Sequence, residues 1–317
     1  MAIPTAEEYR IEQLTPSHYP LLQKLFRRVY NTRVSPEDLE KRFDTSLFGK
    51  NVVGFIAIHN NSGEPASYYG VFPMNVQIEN KIVSIGQSGD LMTDQKHRNK
   101  NLFIQLAELT HIACKYEGMK VIISQPNKKS LHGFVNKLGF KPIDEIIRWD
   151  LKLGMKTVPL SKLVSTNKTF KKSYLPYAKR VLKKYIVGTP ALFNNPLEIS
   201  IGKVQRDNAY ISYKSSEDRF FIKIENVMLW IRLTDVFWIG DFDNYDSINS
   251  VVIKKIKRLA FLLGYNTISF NMNASITLPD PLKIFKQYSS QPSCFLYIDE
   301  TLNDTNIILA AADSDTW

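Results

Sequence analysis

The chain has 317 residues, 44% of them hydrophobic and 23% charged, a globular composition that excludes collagenous, fibrous and wholly disordered chains. Its formal net charge is +10, but the charge is local. Residues 1–150 carry 19 basic and 16 acidic side chains, residues 151–190 carry 10 basic and no acidic ones, and residues 191–317 carry 12 basic against 15 acidic. One basic segment between two near-neutral halves does not describe a chain adapted throughout to nucleic acid, which is not expected as the main partner. The apolar runs, such as 259–263, fall far short of the ~18–20 residues of a membrane-spanning helix. Met1 to Arg10 hold two Glu and no apolar block, which does not read as a signal peptide. Cys114 and Cys294 are the two cysteines and form no disulfide framework, so a reducing cytoplasm is the expected location.

Along the first half, Tyr9 to Leu14 reads as a strand. Leu21, Leu22, Leu25, Phe26 and Val29 then follow a helical period within 18–30. Ser35-Pro36-Glu37-Asp38 is a helix start, with Ser as cap, Pro at the first position and acids in the first turn. Residues 51–59, 67–78 and 82–93 are rich in β-forming side chains and are separated by turns at 60–63 and 79–81. A helix is expected over 102–117, with Leu102, Leu106, Leu109 and Ala113 inward and Gly118 closing it. A short buried strand at 120–125, a helix at 130–138 ended by Gly139, and a strand at 142–153 complete a β-α-α-β-β-β-α-β-α-β order. That order suggests an α/β (α+β) fold with a mixed sheet.

Residues 154–190 read as a basic connector with an amphipathic helix at 176–186. Residues 197–300 then repeat the alternation: strands at 197–201, 220–224, 227–233 and 236–241, a helix at 248–263, a strand at 267–271, a short helix at 281–288 and a strand at 294–298. The expected division is 1–153, 154–190 and 191–317. The small, acidic tail from Ala310 to Trp317 is expected to be loose.

The chemistry-bearing stretch runs from Gly89 to Phe103. A strand ends, a polar turn follows and an amphipathic helix begins, which presents free backbone N–H groups at the positive end of a helix. Arg98 and Lys100 add positive charge, and Asn99 and Asn101 tolerate the positive φ that such turns need. The alternative is an ordinary connection with solvated charges. His97 is expected to face solvent, His111 and His132 to be packing or surface residues, and Cys114 to lie on the apolar side of its helix. No metal-ligand spacing is present.

Arg98-Asn99-Lys100-Asn101-Leu102-Phe103, followed by Pro126-Asn127-Lys128-Lys129-Ser130 and Lys137-Leu138-Gly139-Phe140, resembles the GNAT superfamily of acyl-CoA-dependent N-acyltransferases. The resemblance covers about residues 5–153. It departs from the family at Asn101, in place of the central Gly, and at Phe103. Phe134 stands where a Tyr usually protonates the leaving thiolate, which leaves His132, water or unassisted departure. The resemblance implies acetyl-CoA as co-substrate, with pyrophosphate on the 99–103 turn, pantetheine along Leu91, Met92 and Thr93, and Asn127 and Ser130 in the adjoining segment. It implies direct attack by a primary amine in a ternary complex, the oxyanion held by a backbone N–H near Leu91–Thr93 and Asp90 as catalytic base; the other reading of Asp90 is a structural cap or a partner of Arg98. The acceptor would be a small-molecule amine, amino sugars included, and the protein a monomer or homodimer.

The second half looks like a degenerate copy of the same fold. Its 236–246 junction carries Asp241, Asp243 and Asp246 and no Lys or Arg, so it is expected to repel pyrophosphate and to wall the acceptor site or mimic a second subunit. Two other functions stay open: a tandem aminoacyl transferase using charged tRNA, and a non-catalytic CoA- or ligand-binding module.

Overall fold

The computed structural model describes residues 8–154, 158, 160–193, 202–303 and 305–314. The expected strand at 197–201 lies outside the described residues. In chain order the strands and α-helices of the first half are β1 (Tyr9–Gln13), α1 (Tyr19–Tyr30), α2 (Pro36–Phe43), β2 (Val53–His59), β3 (Pro65–Ile78), β4 (Lys81–Thr93), α3 (Leu102–Tyr116), β5 (Val121–Ser124), α4 (Leu131–Leu138) and β6 (Lys141–Lys152). There follow α5 (Leu160–Thr166), α6 (Lys168–Leu182), β7 (Gly202–Val204), α7 (Asn208–Lys214), β8 (Arg219–Ile224), β9 (Val227–Leu233), β10 (Phe237–Phe242), α8 (Ser250–Leu262), β11 (Thr267–Asn273), β12 (Lys286–Tyr297) and β13 (Ile307–Ile308). This is the mixed α/β architecture expected.

The chain divides into two compact units: residues 1–143 with 292–305, and residues 144–291 with 306–317. In the first unit β1, β2, β3 and β4 pair antiparallel in sequence, β4 pairs β5 in parallel, and Cys294–Tyr297 of β12 close the sheet antiparallel to β5. One face buries Leu102, Leu106, Ala107 and Cys114 of α3 with Phe134 and Phe140; the other buries Leu22 and Leu25 of α1 with Leu39 and Phe43 of α2. Helix α2 begins as the sequence dictates. Ser35 Oγ accepts from the Asp38 N–H at 3.1 Å, and Asp38 accepts from the Ser35 N–H at 3.3 Å. Within α3, Leu109 is exposed rather than inward, because the buried stripe runs through Leu106, Thr110 and Cys114.

The second unit repeats this strand logic. Strands β8, β9 and β10 pair antiparallel, β10 pairs β11 in parallel, and β11 pairs antiparallel with Ile146–Lys152 of β6. Helices α6 and α8 supply Tyr174, Leu175, Val252, Ile256 and Leu259 to its core. Two expectations fail here. The short helix at 281–288 is a single 3₁₀ turn at Asp280–Ile284, after which β12 begins. The described part of the tail is not loose: Ala311–Asp313 is a buried turn against β10 and β11, while 315–317 lie outside the described residues.

Candidate active site

Strand β4 is irregular at the position the sequence singles out. Tyr68 faces Met92 and Gly70 faces Gly89, so Asp90 and Leu91 together oppose Tyr69. This is a bulge, and Asp90 takes φ 54° to make it. The ladder between β4 and β5 covers Gly86↔Ile122 and Gln87↔Ile123 and stops there. Past the bulge, Asp94 donates its N–H to Ala66 of β3, and Met92 offers its carbonyl to Ser67 Oγ at 2.8 Å. Peptide groups alternate along a regular strand, so those of Thr93 face away from β3, toward the edge where β4 has left β5. An extended ligand can pair with a strand edge of this kind.

At the end of β4 the chain enters a short 3₁₀ turn, Gln95–His97, capped by Asp94, whose side chain accepts from the Lys96 N–H. Asn99 and Asn101 then adopt φ 64° and 59°, and Asn101 caps α3 with no side-chain bond. The short polar side chain makes the left-handed conformation affordable without Gly. The first N–H groups of α3 therefore have no intrahelical acceptor, and the helix dipole favours an anion there. Exposed Arg98 forms no ion pair among the described residues, whereas Lys100 is shared with Glu8 at 3.0 Å. Donor set and charge both suit a phosphate-bearing co-substrate.

His97 does not face solvent as expected. Its Nδ1 meets the Tyr9 hydroxyl at 2.9 Å, His59 lies beside it, and burial lowers its pKa. His111 packs against Tyr69 and Phe140, its Nε2 3.2 Å from the Tyr69 hydroxyl, and burial pushes its pKa down to about 4. His132 is exposed and bound to Asn136. Burial pushes both the Cys114 and the Cys294 thiol up to about 12, which leaves neither a thiolate nucleophile. Among the described residues no group of His, Cys, Asp and Glu is arranged to hold a metal ion.

Asp90 is buried, and both its oxygens are taken. Arg42 of α2 donates to it through Nε at 2.6 Å and Nη2 at 2.7 Å, while its guanidinium lies over the Phe72 ring. The partner is therefore Arg42 rather than Arg98. Sequence reading missed Arg42, which sits on the polar side of a short helix with nothing in its spacing to single it out. It also missed Tyr30, the last residue of α1, whose hydroxyl donates to the Leu91 carbonyl at 2.6 Å. Asn127 is exposed, and its side chain caps the turn into α4 by accepting from Lys129 and Ser130 N–H. Phe134 is buried in an aromatic cluster with Phe103, Tyr69 and Phe140. A Cβ on Gly133 would lie 2.7 Å from the Phe103 ring, so Phe103 and Gly133 are matched in size. Phe103 is thus accounted for by packing.

Residues 10–143 match the model of an acetyltransferase (GNAT) domain, and the match ends where the chain leaves its first unit. Solved structures similar in fold include GCN5-related N-acetyltransferases from three organisms. The one from Kribbella flavida is 10% identical, with a TM-score of 0.57 over 92% of this chain and 71% of that one. The one from Anabaena variabilis is 9% identical, with 0.53 over 90% and 72%. The one from Sphaerobacter thermophilus is 12% identical, with 0.51 over 94% and 97%. At these identities the likeness is one of fold. No curated protein matches in sequence.

Proposed function

From the premise that residues 10–143 are a GNAT acetyltransferase domain, we propose that this chain transfers an acyl group, acetyl in the simplest case, from acyl-CoA to a primary amine of a small molecule. The observation that carries the reading is the pairing of two features at one strand end. One is the bulged edge of β4 where it parts from β5; the other is the left-handed, cation-flanked turn that opens α3. When bound, acyl-CoA supplies the activated thioester. The N–H groups of 99–103 with Arg98 would take its pyrophosphate, and the backbone of Leu91 to Thr93 would pair with the pantetheine arm. A backbone N–H of Leu91 to Thr93 would stabilise negative charge on the thioester oxygen.

Arg42 fixes Asp90, and Tyr30 engages the Leu91 carbonyl, so the backbone proposed to carry the oxyanion donor is held at two successive residues. We assign Asp90 to this positioning, because taking the amine's proton would require it to share atoms already given to Arg42. Amino sugars fit the acceptor class, as do other small amines.

Calorimetry with acetyl-CoA tests the reading. Arg98→Glu is expected to weaken affinity at least tenfold, since a charge-assisted contact is worth roughly 1.5–3 kcal/mol, with thermal unfolding unchanged. Unchanged affinity would remove the turn from the binding site.

A further inference from the structure

The second unit carries a surface that acyl transfer does not use. Segments 151–190 and 248–263 together hold 14 basic and no acidic residues, and the helices they form lie side by side. Tyr174 and Tyr177 of α6 donate to the Leu263 and Leu262 carbonyls at the end of α8, at 2.8 and 2.5 Å. Helix α8 buries Val252, Ile253, Ile256 and Leu259. Its opposite stripe, at spacings of three and four, is Val251, Lys254, Arg258 and Leu262, with Val251 50% and Leu262 44% exposed. Beside the stripe lies a groove of about 830 Å³ lined by Leu153, Ile253, Phe261 and Ile284 together with exposed Lys254, Lys257 and Arg258. None of these three cations has an ion pair among the described residues. Asp280, also at the groove, is occupied by Lys283 at 2.6 Å.

We propose that this face docks on an anionic lipid bilayer, with headgroup phosphates at these cations and apolar side chains entering the headgroup–acyl boundary. Charge complementarity asks for a polyanion, and the side chains between the charges choose which one. Exposed Leu163, Val251, Leu262 and Ile284 are aliphatic and gain by leaving water for lipid. A single-stranded nucleic acid would instead be met by aromatic rings stacked on its bases. Tyr177, half exposed beside Leu262, is amphipathic, as suits a residue at the lipid–water boundary. No described helix is long and apolar enough to cross a membrane, so the attachment is peripheral.

Flotation of the full chain with vesicles tests this, using phosphatidylcholine alone against phosphatidylcholine mixed with phosphatidylglycerol. Binding is expected to be at least about tenfold stronger to the anionic vesicles, each basic side chain near the surface being worth about fivefold. The triple variant Lys254→Glu, Lys257→Glu, Arg258→Glu should lose that preference while keeping the wild-type melting temperature. If it does not fold, the triple exchange to Gln serves in its place. Leu262→Ser with Ile284→Ser should weaken vesicle binding at physiological salt severalfold, which a purely ionic contact would not show. Equal binding to both vesicles, or full binding by the charge variants, overturns the proposal. So does tRNA binding that the charge variants abolish and the serine variants leave intact, since that outcome assigns the face to nucleic acid.

Discussion

A carboxylate next to the proposed reacting centre can act as base or as anchor, and for Asp90 the geometry favours the anchor. Both of its oxygens accept from one guanidinium, and its backbone holds a positive φ that a non-Gly residue adopts at a cost of roughly 1–3 kcal/mol. The Arg42 pair is what offsets that strain and fixes the bulge. Asp90→Asn is therefore expected to destabilise the protein by about 2 kcal/mol, less than the ~3–5 of a fully enclosed pair because Arg42 is 28% exposed. Turnover should fall without a change in the shape of its pH profile, and Arg42→Ala should fall in parallel. A profile in which Asp90→Asn recovers at high pH, where the amine is already neutral, would return Asp90 to the role of base. In the sequence, the position of Asp90 near the end of its strand was legible. Its partner was not, because Arg42 and Asp90 are 48 residues apart and nothing local couples a short helix to a strand bulge.

At the scale of elements, periodicity and turn chemistry located α1, α3, α8 and most strands; the helix expected at 176–186 is instead α6, Lys168–Leu182, because Pro176, read as a helix start, stands inside it. The 281–288 stretch carries apolar residues at helical spacing, yet Leu282 and Phe285 bury themselves from a 3₁₀ turn and its cap, and the chain runs on from Lys286 into β12. The tail is small and acidic, which ordinarily means solvated. Here the acid is what orders it. Asp313, fully buried, takes both Nε and Nη2 of buried Arg206, whose Nη1 reaches Asp241 at 2.6 Å. Burial works against the Arg206 cation, but Asp313 and Asp241 outweigh it and hold it charged. Asp241 also accepts from the Tyr245 hydroxyl, and Asp243 turns back to the Met228 N–H. Two of the three aspartates expected to repel phosphate are therefore spent on the fold. Asp313→Asn leaves Arg206 with a single carboxylate and should cost about 3–5 kcal/mol of stability, read from urea denaturation. Deleting 310–317 should cost more. A midpoint equal to wild type in both variants would show that the cluster is not what holds the tail.

On the scale of the whole chain, the two units share a plan and differ in what fills it. In the first unit β4 bulges at Asp90–Leu91 and parts from β5 after Gln87. In the second, β10 carries its extra residue at Gly240, and its ladder with β11 stops at Ile239↔Phe270. Each bulge holds an Asp paired with an Arg, Asp90 with Arg42 and Asp241 with Arg206. Beyond the second ladder, however, lies the chain's own C-terminal segment: the Leu309 N–H bonds Asn273, and Asp313 binds the arginine that holds Asp241. The corresponding turn, 240–246, has no cation to meet a phosphate. A repeated strand order was legible in the sequence; the C-terminal segment bonded at the end of β11 was not, because it lies far from that strand in sequence. We therefore propose one co-substrate site per chain, in the first unit. The test must use the full chain, since a fragment starting at residue 191 would lack β6 and α6, both part of the second unit. Titration with acetyl-CoA is expected to reach a stoichiometry near one, and Arg98→Glu should weaken that single event at least tenfold without exposing a second one. A stoichiometry near two, or tight binding that survives Arg98→Glu and disappears with Asp241→Ala, would place a working site in the second unit.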